Sequence, residues 1–211
     1  MYKLFTLIFF FSGYFVFAQE TIHYNLADLL DNDMLQRDTS NHAQILNEKD
    51  HPGAISTRKI LWMKGVSFAE GTIDVDLRGK NVFLQSFLGI AFHGTDENHY
   101  EVVYFRPFNF KHADTLRRKW SVQYMVVPDF LYDKLRKEHP LVYENAVSPI
   151  PNPEDWFHVT ISVQADSVKV FVNQAPEPSL RVKRIGTTKD GRIGLWDDEL
   201  SGDFANLSIT Q

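Results

Sequence analysis

The sequence predicts an all-β fold: a two-sheet antiparallel β-sandwich with one short helix. Three observations predict it. Ten separate segments are rich in β-branched and aromatic residues, several with apolar and polar residues in strict alternation, and each is bounded by Gly, Asn, Asp or Pro. Helical spacing of three and four is sustained at only one place, so strands do not alternate with helices as a parallel sheet requires. Aromatic residues make up 14% of the 211 residues, 17 of them Phe, a content suited to a packed β-core.

The elements follow in order. Predicted strands cover 43–46, 60–64, 71–78, 87–93, 99–106, 120–127, 156–164, 167–173, 192–196 and 204–209. In 71–78, Ile73, Val75 and Leu77 face one way while Thr72, Asp74, Asp76 and Arg78 face the other. Asp74 and Asp76 thereby share a face, about 7 Å apart by strand rise, and read as a solvated edge. In 156–164, Val159, Ile161 and Val163 are inward. A tight turn at Ala165 and Asp166 leads into Val168, Val170 and Val172, which predicts a hairpin. The helix covers 129–139 between Pro128 and Pro140, with Asp129 as its cap. Pro149, Pro151 and Pro153 mark a rigid excursion over the sandwich rather than a domain boundary.

Residues 1–18 read as a secretory signal peptide. Lys3 is followed by a short apolar run from Leu4 to Phe11, and Val16 and Ala18 occupy the −3 and −1 positions before Gln19. The apolar run is shorter than the roughly 20 residues a spanning helix needs. Residues 19–211 then form a single domain, exported to the periplasm or the extracellular space, with no stable membrane insertion once the leader is cleaved. The chain has no cysteine, which excludes disulfides, thiolate metal sites and cysteine nucleophiles. A net charge of −5 argues against nucleic acid as a partner.

One resemblance extends along residues 55–210. The segments that carry it are Phe68-Ala-Glu-Gly-Thr-Ile-Asp74, Leu88-Gly-Ile-Ala-Phe92, residues 100–106, Val122-Gln-Tyr124, residues 156–161, Val170-Phe-Val-Asn173, Gly191-Arg-Ile-Gly-Leu-Trp196 and Gly202-Asp-Phe-Ala-Asn-Leu207. In order and spacing they resemble the concanavalin A-like lectin/glucanase superfamily. More narrowly they resemble secreted 3-keto-disaccharide hydrolase domains, distant relatives of family 16 glycosidases. The resemblance implies a jelly roll with a saccharide in a concave groove, and cleavage of a glycosidic or 3-keto-glycosidic bond if the protein is an enzyme. The Glu-x-Asp-x-x-Glu strand of family 16 enzymes is absent: Thr72 stands at the first Glu position, and neither Leu77 nor Arg78 restores the last. The alternatives to a hydrolase are a noncatalytic glycan-binding module and an envelope protein-interaction domain.

Within such a groove, alternation places Tyr100, Tyr104 and Arg106 on one strand face, with Glu101, Val103 and Phe105 on the other. Arg106 can hold a carboxylate or two sugar hydroxyls in its fork, or form a structural ion pair with Glu101 or Glu144. Gln123, mid-strand among apolar neighbours, can offer its amide to a ligand hydroxyl. Trp120, Trp196, Tyr100 and Tyr104 are candidate stacking surfaces for a sugar ring. Glu144 is the candidate catalytic acid or base, its alternative being an ion pair with Arg106 or Arg136 that pins the loop; Asn145 beside it is a further ligand contact. His93, His99 and His112 match no metal-ligand spacing and read as surface or groove histidines. No metal or cofactor is expected, although the oxygen-rich stretch 197–203 could hold a structural calcium ion.

Overall fold

The computed structural model describes residues 19–36 and 42–211; the leader expected at 1–18 lies outside them. Two antiparallel sheets pack face to face. The first contains β1 (Thr21–Tyr24), β3 (His42–Ile45), β4 (Ile55–Arg58), β6 (Gly71–Arg78), β11 (Phe157–Val163), β12 (Ser167–Val172), β13 (Leu180–Lys183) and β15 (Gly202–Thr210), in the order β13-β12-β11-β6-β15-β4-β3, with β1 also on β15. The second contains β2 (Leu35–Gln36), β5 (Leu61–Phe68), β7 (Ser86–Asp96), β8 (His99–Phe105), β9 (Val122–Val127), β10 (Glu144–Asn145) and β14 (Gly191–Glu199), in the order β10-β9-β8-β7-β14-β5-β2.

All ten predicted strands are present, because period-two alternation is enforced by the pleat and needs no distant information. The hairpin pairs Val159 with Val172, Ile161 with Val170 and Val163 with Val168, so three apolar rungs enter the core together. Removing each such side chain from water stabilises the fold by about 1.5–3 kcal/mol. The two sheets meet where Phe105 and Phe110 set their edges against Phe157, each at 5.3 Å between ring centroids. Strands β1, β2, β4, β10 and β13, of two to four residues each, are not among the ten predicted.

The predicted helix is α4 (Tyr132–Glu138), and it starts later than expected. Val126 and Phe130 form an isolated bridge that holds the preceding residues in a turn, so Asp129 does not cap the helix and Leu131 stands at the N-cap. Three shorter helices join it: α1 (Leu26–Asp31), whose first amides are capped by Asn25, α2 (Pro107–Phe110) and α3 (Thr115–Arg118). Among the described residues no helix is long and apolar enough to cross a membrane.

Asp74 and Asp76 are not at an edge. Strand β6 lies between β11 and β15, and both carboxylates are half-buried around His158. His158 Nδ1 is 2.7 Å from Asp76, its Nε2 is 3.4 Å from Asp74, and Asn206 Nδ2 donates to Asp76 at 2.7 Å. Hydrogen bonds to the two carboxylates push the His158 pKa up to about 9.

Candidate functional site

A single row of register partners crosses five strands of the seven-stranded sheet. Glu144 on β10 pairs with Gln123 on β9, Gln123 with Tyr104 on β8, Tyr104 with Gly89 on β7, and Gly89 with Trp196 on β14. Side chains of directly paired residues share a face. The alternate residues Val103, Phe105, Val122 and Tyr124 point into the core with no exposed surface, so the row lies on the outer face of this sheet. Gly89 contributes no side chain, and the rings of Tyr104 and Trp196 approach to 5.1 Å over it.

Arg106, two residues beyond Tyr104 on the same face, is 4% exposed. Its Nη2 donates to the Tyr104 hydroxyl and to Gln123 Oε1, and its Nη1 donates to the Trp120 carbonyl at 2.9 Å. The Tyr104 hydroxyl in turn donates to Gln123 Oε1 at 2.8 Å. Burial lowers the Arg106 pKa and raises that of Tyr104, since each charged form would stand out of water. Gln123 Nε2 is buried with no hydrogen-bond partner among the described residues.

Helix α4 lies over this end of the row. Leu135 anchors it in the core, and Arg136 forks onto Glu144: Nε donates to Oε1 and Oε2 at 2.9 and 3.0 Å, and Nη2 to Oε2 at 2.7 Å. Arg106 Nη1 stands 3.8 Å from the same carboxylate. Between helix and sheet is a cleft of about 440 Å³. Tyr104, Arg106, Met125, Trp196 and Phe87 line its floor, Leu131, Tyr132 and Arg136 one wall, and Leu84, Asp198 and Glu199 the opposite rim.

The structure thus sets Tyr104, Arg106 and Trp196 in the lining of the cleft, with Gln123 and Glu144 on the same sheet face but buried beside Arg106. Tyr100 sits behind the cleft, accepting from Trp196 Nε1 at 3.1 Å and so fixing the indole plane. Trp120 is a platform for Arg136, whose guanidinium carbon lies 4.2 Å from its ring centre. Asn145, one residue past Glu144, alternates away and donates to the Ser179 carbonyl at 2.9 Å. Both oxygens of Glu144 are taken up by Arg136, the loop-pinning arrangement.

Sequence reasoning missed a second buried polar cluster. Glu101 faces the core, where Arg184 forks onto its carboxylate, Tyr124 donates to Oε2 at 2.5 Å, and His93 Nδ1 lies 2.8 Å from Oε1. His93 is therefore not a surface histidine; it is 1% exposed, its Nε2 donating to the Ala69 carbonyl at 2.7 Å. Burial opposes ionisation of Glu101, but the bonds from His93, Arg184 and Tyr124 outweigh it and hold the carboxyl below its ordinary range. The available signal was a carboxylate on the apolar face of an alternating strand.

The segment 197–203 spreads its carboxylates instead of gathering them. Asp197 is buried and accepts the Lys59 amide at 2.7 Å, Asp198 and Glu199 are exposed, and Asp203 pairs with Arg78 at 2.8 Å. Among the described residues no three His, Asp or Glu side chains cluster as a metal site.

By sequence, the chain matches no family model and no curated protein. By structure it is similar to a Bacillus subtilis protein of unknown function with a galectin-like fold. That match has TM-score 0.60 and 13% identity, covering 92% of this chain and 98% of the other. It is also similar to the carbohydrate-binding module CBM66 from Bacillus subtilis, with TM-score 0.54 and 11% identity, covering 80% and 92% of the two chains. The two-sheet antiparallel architecture and these likenesses together give the chain a concanavalin A-like jelly-roll fold.

Proposed function

We propose that the protein, exported after removal of residues 1–18, binds a saccharide in the cleft beneath α4 without hydrolysing it. One observation carries this reading: an indole and a phenol ring, their centroids 5.1 Å apart, stand beside a buried guanidinium in the lining of the same cleft. A sugar ring offers C–H faces to aromatic surfaces and hydroxyls to fixed donors, and this floor has both. The likeness to a carbohydrate-binding module supports the same reading.

Two features favour binding over hydrolysis. Glu144 is engaged by Arg136 through both oxygens. The carboxylates that line the cleft, Asp198 and Glu199, stand on β14, four strand spacings from Glu144 on β10. That is roughly 19 Å along the sheet, whereas paired glycosidase carboxyls lie about 5–9.5 Å apart. The test is calorimetry of the purified protein against mono-, di- and oligosaccharides, with product analysis and a Trp196→Ala variant. Binding that weakens at least tenfold in the variant, without product, is expected. Product formation would overturn the noncatalytic reading, and an absence of binding across the panel would overturn the site. N-terminal sequencing of the exported protein tests the leader; a start other than Gln19 would refute the cleavage site.

A further inference from the structure

The charges around the cleft are unevenly distributed, and the imbalance bears on what kind of saccharide it takes. Arg106 and Arg136 share one carboxylate, Glu144, which Arg136 engages directly while Arg106 stands 3.8 Å away. The hydrogen bonds of Arg106 go instead to neutral oxygens of Trp120, Tyr104 and Gln123. This end of the cleft therefore carries more positive than negative charge, in a place where Arg106 is almost fully removed from water. A partly desolvated guanidinium without its own counter-ion is costly, and an anionic ligand group would offset that cost.

The guanidinium of Arg136 is also held in a fixed plane. It is 4.2 Å from the Trp120 ring centre and 5.6 Å from that of Tyr132, its Nε and Nη2 are committed to Glu144, and Nη1 has no partner among the described residues. A single Nη1 donor held with little remaining freedom, on a cation beside Arg106, suits one oxygen of a carboxylate. The opposite rim has the reverse sign, because Asp198 and Glu199 stand exposed on β14. A chain charged at every sugar would set acid against acid there.

Building on the saccharide reading of this cleft, we propose that its ligand is a saccharide bearing a single uronic acid carboxylate, seated at Arg106 and Arg136 with neutral sugar towards Asp198. The test measures affinity at low salt for three probes: an oligosaccharide with one terminal glucuronate, its glucose-terminated counterpart, and an oligouronate charged at every residue. The mono-uronate is expected to bind roughly tenfold tighter than the neutral probe, with the preference shrinking as salt is added. Arg136→Gln should bring that ratio towards one while Arg136→Lys retains part of it, circular dichroism confirming that each is folded. Asp198→Asn, at an exposed position, should raise oligouronate affinity roughly threefold. Equal affinity for neutral and mono-uronate probes would overturn the charge inference and leave the saccharide site standing. Tightest binding of the oligouronate would overturn the single-charge claim, and no binding of any probe would overturn both readings.

Discussion

Tyr104 and Trp196 touch across an intervening strand, their ring centroids 5.1 Å apart, because the residue between them is Gly89. A Cβ built on Gly89 would lie 2.0 Å from the Val103 carbonyl oxygen and 2.6 Å from Tyr104 Cα. Both are backbone atoms of a central strand and have no room to yield. Gly89→Ala is expected to cost about 3 kcal/mol in urea denaturation and to change the near-ultraviolet circular dichroism of Trp196. An unchanged spectrum at unchanged stability would refute the packing argument.

The Arg136–Glu144 fork ties α4 to the sheet. Glu144→Gln leaves Arg106 and Arg136 facing each other without a counter-ion, and should cost about 3–5 kcal/mol. Arg136 is more exposed than Glu144, so Arg136→Gln should cost less, about 1–2 kcal/mol. A double-mutant cycle should then show coupling of at least about 1 kcal/mol. Additive effects would mean that the two side chains do not act as a pair.

Glu101 is held ionised by His93, Arg184 and Tyr124. Its folded pKa is depressed, so its contribution to stability is present above the ordinary carboxylate range and is lost as pH falls through the folded value. Glu101→Gln should cost about 3–5 kcal/mol at neutral pH, with the gap to wild type closing in acid. Gly186→Ala attacks the same cluster sterically, since its Cβ would lie 2.2 Å from the Glu101 carboxyl. Denaturation of both variants from pH 3 to pH 7 checks this.

His158 works in the opposite direction. Its pKa rises from 6.5 to about 9, so the stability it contributes is fully present below about 6.5 and is lost as pH climbs through about 9. Allowing for solvent screening at this half-buried site, the loss should be about 1 kcal/mol. Thermal melts of wild type should fall over that window, and His158→Gln should flatten that part of the curve.

Asp197 adds a second alkaline loss by another route. Burial pushes its pKa up to about 9, so the folded protein keeps a proton that the unfolded chain has given up. Stability should therefore fall as pH rises from about 4 to about 9, then level off. Asp197→Asn should remove most of this slope and raise neutral-pH stability by about 2 kcal/mol. A slope unchanged by the substitution would refute the assignment.

Much of the architecture is legible in the residues themselves. Alternation in 71–78, 99–106 and 156–164 locates β6, β8 and β11 and puts Tyr104 and Arg106 on one face, because the two-residue period of a strand is a local property. The hairpin of β11 and β12 is legible for the same reason. What only the tertiary structure decided depends on register and on which elements meet. Strand β10 has two residues and exists through its pairing with β9, and that pairing puts Glu144 beside Gln123 and turns Asn145 towards Ser179. Trp196 meets Tyr104 through a strand between them, and Trp120 serves Arg136 rather than the cleft because α4 crosses over it. Glu101 finds Arg184, and Asp76 finds His158, only when the strands carrying them are assembled. Local sequence sets the face on which a side chain emerges; its partner is set by hydrogen-bond register between segments far apart in the chain, and register is a property of the assembled sheet.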